Sequence, residues 1–501
     1  MMSKLNLSKP YHPVAILFPG LVIAQVIATV QVYFSNIELH RTVSNLFNAG
    51  YLTVPNVMAM NRLLDFGPAF WGALFFTCSI GAGISFGSMA AGWIWSRFCD
   101  RNRFVLFIFL SVWGGLLLIF NIHGMALYPT LYCALIAPIL FILTVKWSMR
   151  SAISSTGRRG WLHIIPIPLL ALLWFTQFDT ELFVDLRDNL LLSNYVGKKF
   201  SHFYYKYTLY PAEAFKSLDQ KLIRTCDLGD ITNPELRHRL STRLLAFDYL
   251  PVANTSRVDL KINQVGDHLV FSHDEQVIMK INAQQFFAEP QKALQKYSAE
   301  MDRNGAFRQF TFVSLLIGFP VLVYTLAHFV IYYLLAFFLS QKRAAIVASV
   351  LCLLIGIIVL VYFQTNRSHN IQDKNIADAL DSEILSERIA ALKFIQQKKM
   401  DIAAYRSYPG MLNSPYPQER YWLAAAMAFS KNPKSFSDLL LLLDDNNINV
   451  RCMAFNSLGA QKNRRAIKPI VDKIKLSHDW YSQSYAYRAL RSLGWKQKKL
   501  P

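Results

Sequence analysis

The sequence predicts a mainly α-helical protein: a multi-pass transmembrane bundle of about seven spans, an inserted α+β domain and a carboxyl-terminal α-solenoid. Three observations carry this expectation. Apolar runs of bilayer length recur in the first three quarters of the chain, basic residues gather in every second loop between them, and the last quarter repeats one helical pattern.

Composition sets the class. Of 501 residues, 53% are hydrophobic and only 17% charged, a balance that excludes an ordinary soluble enzyme of this length. A formal charge of +20 would suggest nucleic acid in a soluble protein, so the position of the charge matters more than its sum. Cys78, Cys99, Cys133, Cys226, Cys352 and Cys452 show no metal-binding spacing, and three of them lie in apolar runs, where cysteine behaves as a small hydrophobe.

A helix needs roughly 20 apolar residues to cross a bilayer. Runs near that length fall at 13–34, 68–96, 104–122, 127–145, 161–177, 310–339 and 344–363. The fifth is the shortest case and carries Pro166 and Pro168. The first is too long for a signal peptide and lacks a small-residue cleavage site, so it reads as a retained span.

Orientation follows from Lys and Arg in the short loops. Lys4 and Lys9 precede the first span; Arg97, Arg101 and Arg103 follow the second; Lys146, Arg150, Arg158 and Arg159 follow the fourth; Lys342 and Arg343 follow the sixth. Those loops hold a single acid, Asp100, whereas in loop 35–67 Arg41 and Arg62 are offset by Glu38 and Asp65. The expectation is a cell (inner) membrane protein with a cytoplasmic amino terminus. Segment 178–308 and the carboxyl terminus are then extracytoplasmic, or periplasmic.

Four regions result: 1–177 with five spans, an α+β domain at 178–308, two spans at 309–365, and a repeat domain at 366–501. In the α+β domain, Phe215, Leu218, Leu222 and Ile223 have helical spacing, as do Leu240, Leu244 and Leu245. Val258, Leu260 and Ile262, then Leu269 and Phe271, then Val277, Met279 and Ile281 alternate with period two. Gly266-Asp267 and His273-Asp274 separate them, so a β-meander is expected.

In the last quarter, Ser386 to Ile395 has an apolar helical face. The pattern returns at Glu419 to Met427, at Asn449 to Gly459 and at Tyr485 to Gly494. Second helices lie between, at Phe436 to Leu443 and at Ala466 to Ile474, each after a polar turn. A period near 30 with paired helices marks an α-solenoid. On Asp445-Asn-Asn-Ile-Asn-Val450-Arg451 with Ala454 and Leu458-Gly459, then Arg465-Ala-Ile467-Lys-Pro469-Ile-Val471, the segment resembles HEAT repeats of the short, phycobilin-lyase-like kind. That resemblance covers about a quarter of the chain and implies a protein-binding surface.

Candidate chemistry is sparse. No Asp, Glu, Lys or Arg occupies the core of a span, and His328 is the ionisable residue placed deepest. Gly83-Ile-Ser85-Phe-Gly87 matches the G-x-S-x-G pattern, and Ser85 with His328 on another span is similar to the pairing in rhomboid-type proteases. However, Phe329, Val330 and Ile331 follow the histidine where rhomboids keep small residues, and a nucleophile elbow needs a strand-to-helix turn. Ser79, Gly83, Gly87 and Ala91 instead read as one small-residue ridge for close helix packing. Gly318 and Pro320 should kink or locally unwind the sixth span. His268 and His273 could approach across the meander, but two turn histidines read as solvated.

No catalytic, cofactor-binding or metal-binding residue is assigned, and no cofactor is expected. Between 462 and 499, eleven basic residues face only Asp472 and Asp479. These are Lys462, Arg464, Arg465, Lys468, Lys473, Lys475, Arg488, Arg491, Lys496, Lys498 and Lys499. They suit anionic lipid or an acidic protein, at about 1 kcal/mol per basic residue near a charged surface, rather than nucleic acid. The expected function is non-enzymatic: an integral membrane scaffold presenting 366–501 to a protein partner beside the bilayer. The alternatives are a transporter or lipid-handling component and, more remotely, an intramembrane serine hydrolase using Ser85 and His328.

Overall fold

The computed structural model describes residues 12–151, 165–229, 231–252, 257–366 and 376–499. Lys4, Lys9, Arg158, Arg159 and the first residues of the fifth predicted span lie outside them. The protein is mainly helical, with one small sheet. Among the described residues, six helices are long and apolar enough to cross a membrane.

The first, α1 (His12–Asn48), has 37 residues and extends about 55 Å at the α-helical rise. That is about four turns longer than one crossing of a hydrocarbon core of about 30 Å needs. The others are α2 (Phe66–Arg97), α3 (Arg103–Asn121) and α4 (Leu127–Met149), then α9 (Gly305–Ala336) and α10 (Gln341–Asn366). Where the fifth span is predicted, α5 (Pro166–Phe175) is described over ten residues. Pi-turns interrupt α2 at Thr77–Gly81 and α4 at Tyr132–Ile136. Helix α9 continues through Pro320 without interruption, so the expected local unwinding is absent.

Small residues hold the bundle together. A Cβ built on Gly318 of α9 would lie 2.8 Å from the Gly83 nitrogen of α2, and one on Gly92 would lie 3.0 Å from the Phe141 carbonyl of α4. Ridge packing is therefore observed at Gly83, whereas Gly87 faces open space. Polar bonds add to it: Gln25 Nε2 donates to the Phe70 carbonyl at 2.8 Å, and Thr77 Oγ1 donates to Gln25 Oε1 at 2.6 Å. Helix α3 is peripheral, with Phe104 and Leu118 mostly exposed.

The middle unit begins with a short helical segment from Leu182 to Leu191 and the amphipathic α6 (Tyr195–Tyr207). Phe203 and Tyr207 of α6 pack on Trp71 of α2. Its sheet has the order β2-β1-β3-β4-β5: β1 (Arg224–Asp227), β2 (Tyr249–Pro251), β3 (Leu260–Val265), β4 (His268–His273) and β5 (Gln276–Asn282). The expected meander is β3-β4-β5, antiparallel throughout. Strands β1 and β2 pair in parallel and add to its β3 side; at four and three residues they are too short for a periodic signal. Helices α7 (Pro234–Leu245) and α8 (Pro290–Met301) cover the sheet around Leu240, Leu244, Phe271 and Tyr297.

The last unit is a row of helices: α11 (Leu385–Lys398), α12 (Pro417–Met427), α14 (Ile448–Ala460) and α16 (Trp480–Ser492), each packed on the next. Helices α13 (Pro433–Leu442) and α15 (Ile467–Leu476) lie between them in sequence and form an outer layer. Both outer helices and all four inner ones match predicted positions to within a few residues. One contiguous apolar cluster runs from Ala24 of α1 through Phe215 of the middle unit to Leu490 of α16.

Candidate functional site

Three acids of the middle unit hold the helix row. Asp185 receives Lys393 of α11 at 3.0 Å, with both side chains almost wholly buried. Asp188 accepts from Trp422 Nε1 of α12 at 2.9 Å, while its carbonyl accepts from Gln418 Nε2. The Arg187 guanidinium, paired with Asp188, lies 3.8 Å over the Tyr421 ring. At the other end of the row, Asp248 accepts from Tyr487 Oη at 2.6 Å and from Arg491 Nε at 3.0 Å. Burial pushes the Asp248 carboxyl above its ordinary value, outweighing the pull of Tyr487 and Arg491.

The loop after α1 completes the attachment. Asn56 Nδ2 donates to the carbonyls of Ile474, Lys475 and Ser477, which closes the end of α15, and Asn56 N–H donates to Gln483 Oε1 at 2.8 Å. Gln497 makes a two-bond pair with the Leu52 backbone. Tyr51 Oη donates to the Pro251 carbonyl at 3.2 Å. Loop 49–56, the middle unit and the helix row thus meet at one end of the bundle. Buried polar groups must be satisfied, and here each unit satisfies another's.

A cavity of about 160 Å³ lies at this meeting point. Its walls are α1 (Ser35, Glu38, Leu39, Thr42), residues 53–54, residues 213–223 and Asp259 of the middle unit, and Trp480 and Ser484 of α16. Ser35 stands about 35 Å along α1 from His12, so the cavity begins about one hydrocarbon thickness from the start of the apolar run.

Two ion pairs lie in the lining. Lys221 Nζ is 2.7 Å from Asp259 Oδ1, and Lys216 Nζ is 2.5 Å from Glu213 Oε2. Burial alone would raise the Asp259 carboxyl, but Lys221 and two hydrogen bonds from Thr225 hold it below its ordinary value. Burial likewise works against the Lys221 charge, and Asp259 overrides it, keeping the ammonium above its usual value. Glu38 has no ion pair among the described residues.

The residues singled out in the sequence fall elsewhere. Ser85 is buried against Gly20 of α1, and its hydroxyl makes no hydrogen bond. His328 Nε2 lies 3.2 Å from Ser349 Oγ of α10. The structure therefore does not pair Ser85 with His328. His268 and His273 occupy opposite ends of β4, and His273 Nδ1 approaches the Val258 carbonyl. The two histidines do not approach each other because they lie on one extended strand, not on facing ones. The six cysteines are all free, and no metal-binding group of His, Cys, Asp and Glu occurs among the described residues.

The basic face is partly consumed: Arg491 holds Asp248, Lys473 pairs with Asp444, and Lys462 donates to the Ser492 carbonyl. Arg464, Arg465, Lys468, Lys475, Lys496 and Lys498 remain exposed. Sequence reasoning missed Asp185 and Asp188, although two acids three residues apart within the apolar run Leu182 to Leu192 were a usable signal. It also missed Glu38, Glu213, Lys221 and Asp259, which are spread over more than 200 residues without a motif. No family model, no curated protein and no solved structure matches the chain.

Proposed function

We propose that the chain is an integral scaffold of the cell (inner) membrane. In this reading its HEAT-like repeats are braced over the non-cytoplasmic end of the bundle and bind a protein partner through their outer layer. The observation that carries it is the docking of the inner helix row: Lys393, Trp422, Tyr487 and Arg491 are spent on the chain's own acids. Helix α13 and the side of α15 away from Asn56 are left as the free face, with Leu441 and Leu476 about two-thirds exposed.

A recurring arginine supports the repeat reading. Arg388, Arg420 and Arg451 each donate to the carbonyl six residues earlier and to a carboxylate of the next repeat: Glu419, Asp445 and Asp479 respectively.

Parity supports seven passages. Tyr51 touches Pro251, so an even number of crossings separates loop 49–56 from the middle unit. Helices α2, α3 and α4 supply three, and an even count needs one further passage before the middle unit, in the stretch where α5 is described over ten residues. Helices α9 and α10 then return the chain to the same end, as the Asn56–Gln483 bond requires. With the basic loops cytoplasmic, that end is extracytoplasmic.

The test is photo-crosslinking in native membranes from the full-length protein, with the crosslinker at Leu441 or at Trp422. A defined partner band from Leu441, with only intramolecular products from Trp422, is expected. The reverse pattern would assign partner binding to the inner row and overturn the reading. A second reading, a transporter or lipid-handling component, is favoured by the cavity at the bundle end. Buried Asn36 and Gln31 of α1, with amide atoms left unbonded, also favour it.

A further inference from the structure

The lining of the cavity is unequal in charge. It holds three carboxylates, Glu38, Glu213 and Asp259, against two ammonium groups, Lys216 and Lys221. Each lysine already sits within 2.7 Å of its own acid, so neither is left for an anion. Glu38, an exposed residue whose charge reaches Lys221 without forming an ion pair, is the third carboxylate, with the hydroxyls of Ser35, Thr42, Thr53 and Ser484 and the indole of Trp480 in the same walls. A carboxylate outside the ion pairs, several hydroxyl acceptors and an aromatic wall are complementary to a small organic cation.

We propose that this cavity binds a primary ammonium group, with Glu38 as its counter-charge. The volume of about 160 Å³ suits a group of ethanolamine size. Ethanolamine-like ammonium reaches this position either as a free amine or as the headgroup of phosphatidylethanolamine, because the cavity adjoins the end of the apolar run. The proposal goes beyond the scaffold reading and stands without it, since it concerns the walls between the units and not the outer helix layer.

The experiment uses the full-length protein carrying Thr42→Cys or, as an independent reporter, Ser35→Cys. Labelling of the introduced thiol is followed by peptide mass spectrometry. One methanethiosulfonate reagent carries ethylammonium and the other ethylsulfonate, and each rate is normalised to a small free thiol. The ammonium reagent should be favoured by about tenfold, the effect of a nearby unpaired carboxylate in a partly solvated site. Glu38→Gln should remove most of that preference. Equal rates, or a preference for the sulfonate, overturn the proposal.

Two further arms identify the source. Slower labelling on adding ethanolamine to detergent-solubilised protein assigns a soluble amine. Slower labelling in phosphatidylethanolamine nanodiscs than in phosphatidylglycerol nanodiscs assigns the lipid headgroup. Protection by neither overturns the cavity as an ammonium site. Failure of the crosslinking test would leave these outcomes unaffected.

Discussion

In the bundle, α2 and α9 approach until no side chain fits between Gly83 and Gly318. In the helix row, α11 and α12 are joined by Arg388, which grips Glu419 with two hydrogen bonds. Both regions solve the same problem, helix on helix, in different solvents. Lipid is as apolar as leucine, so burying leucine gains little there, and contact comes from backbone proximity and a few hydrogen bonds. Water rewards apolar burial in the row, and the buried charges add register at a desolvation cost that only good geometry offsets. The middle unit stands between these regimes and carries the acids that join them.

The largest effect is expected where a charge is buried between units. Lys393→Ala removes the ammonium from beside the buried Asp185 carboxylate and should destabilise the docked row by about 3–5 kcal/mol. Thermal unfolding in detergent micelles measures it, and Lys393→Met combined with Asp185→Leu should recover most of the loss. If the single variant unfolds like the parent, the row is not held by this pair, and the contrast with the bundle weakens.

The cavity pair should show a pH signature. Lys221→Met is expected to cost about 2–3 kcal/mol at neutral pH, discounted because Lys221 is partly exposed. Asp259 titrates below its ordinary value in the folded protein, so its contribution is present above about pH 4 and is lost as pH falls through the folded value. The gap between parent and variant should therefore close on acidification. Asp248 titrates above its ordinary value, so its protonation favours the folded state and should not produce that loss.

Within the bundle the effects should be smaller and steric. Gly318→Ala forces a Cβ against the Gly83 backbone and should cost about 1–3 kcal/mol. Ser85→Ala removes only a hydroxyl without a partner and should change stability by less than about 0.5 kcal/mol, with no loss of any activity. A large effect of Ser85→Ala would give that serine a chemical role and sharpen the alternative reading.

Much of the fold was legible because its signals are local. Apolar runs of bilayer length located the six long helices, period two located β3, β4 and β5, and a period near 30 located the helix row. The small-residue ridge was correct at Gly83 and not at Gly87, since sequence spacing names a face but not where the neighbouring helix crosses it. The cavity and the docking acids were not legible. Glu38, Glu213, Lys221 and Asp259 are ordinary surface-type residues until folding places them on common walls.

By itself, then, the sequence determined which segments are apolar enough for lipid and which are helical or extended. Hydropathy and periodicity depend on neighbours a few residues apart, so they survive in one dimension. Only the tertiary structure decided that the helix row is clamped to its own chain. Lys393 finds Asp185 across 208 residues, and Gln497 finds Leu52 across 445. No local pattern encodes such a pair: a charge or an amide acquires its partner only when the helices that carry it are packed and water has been excluded.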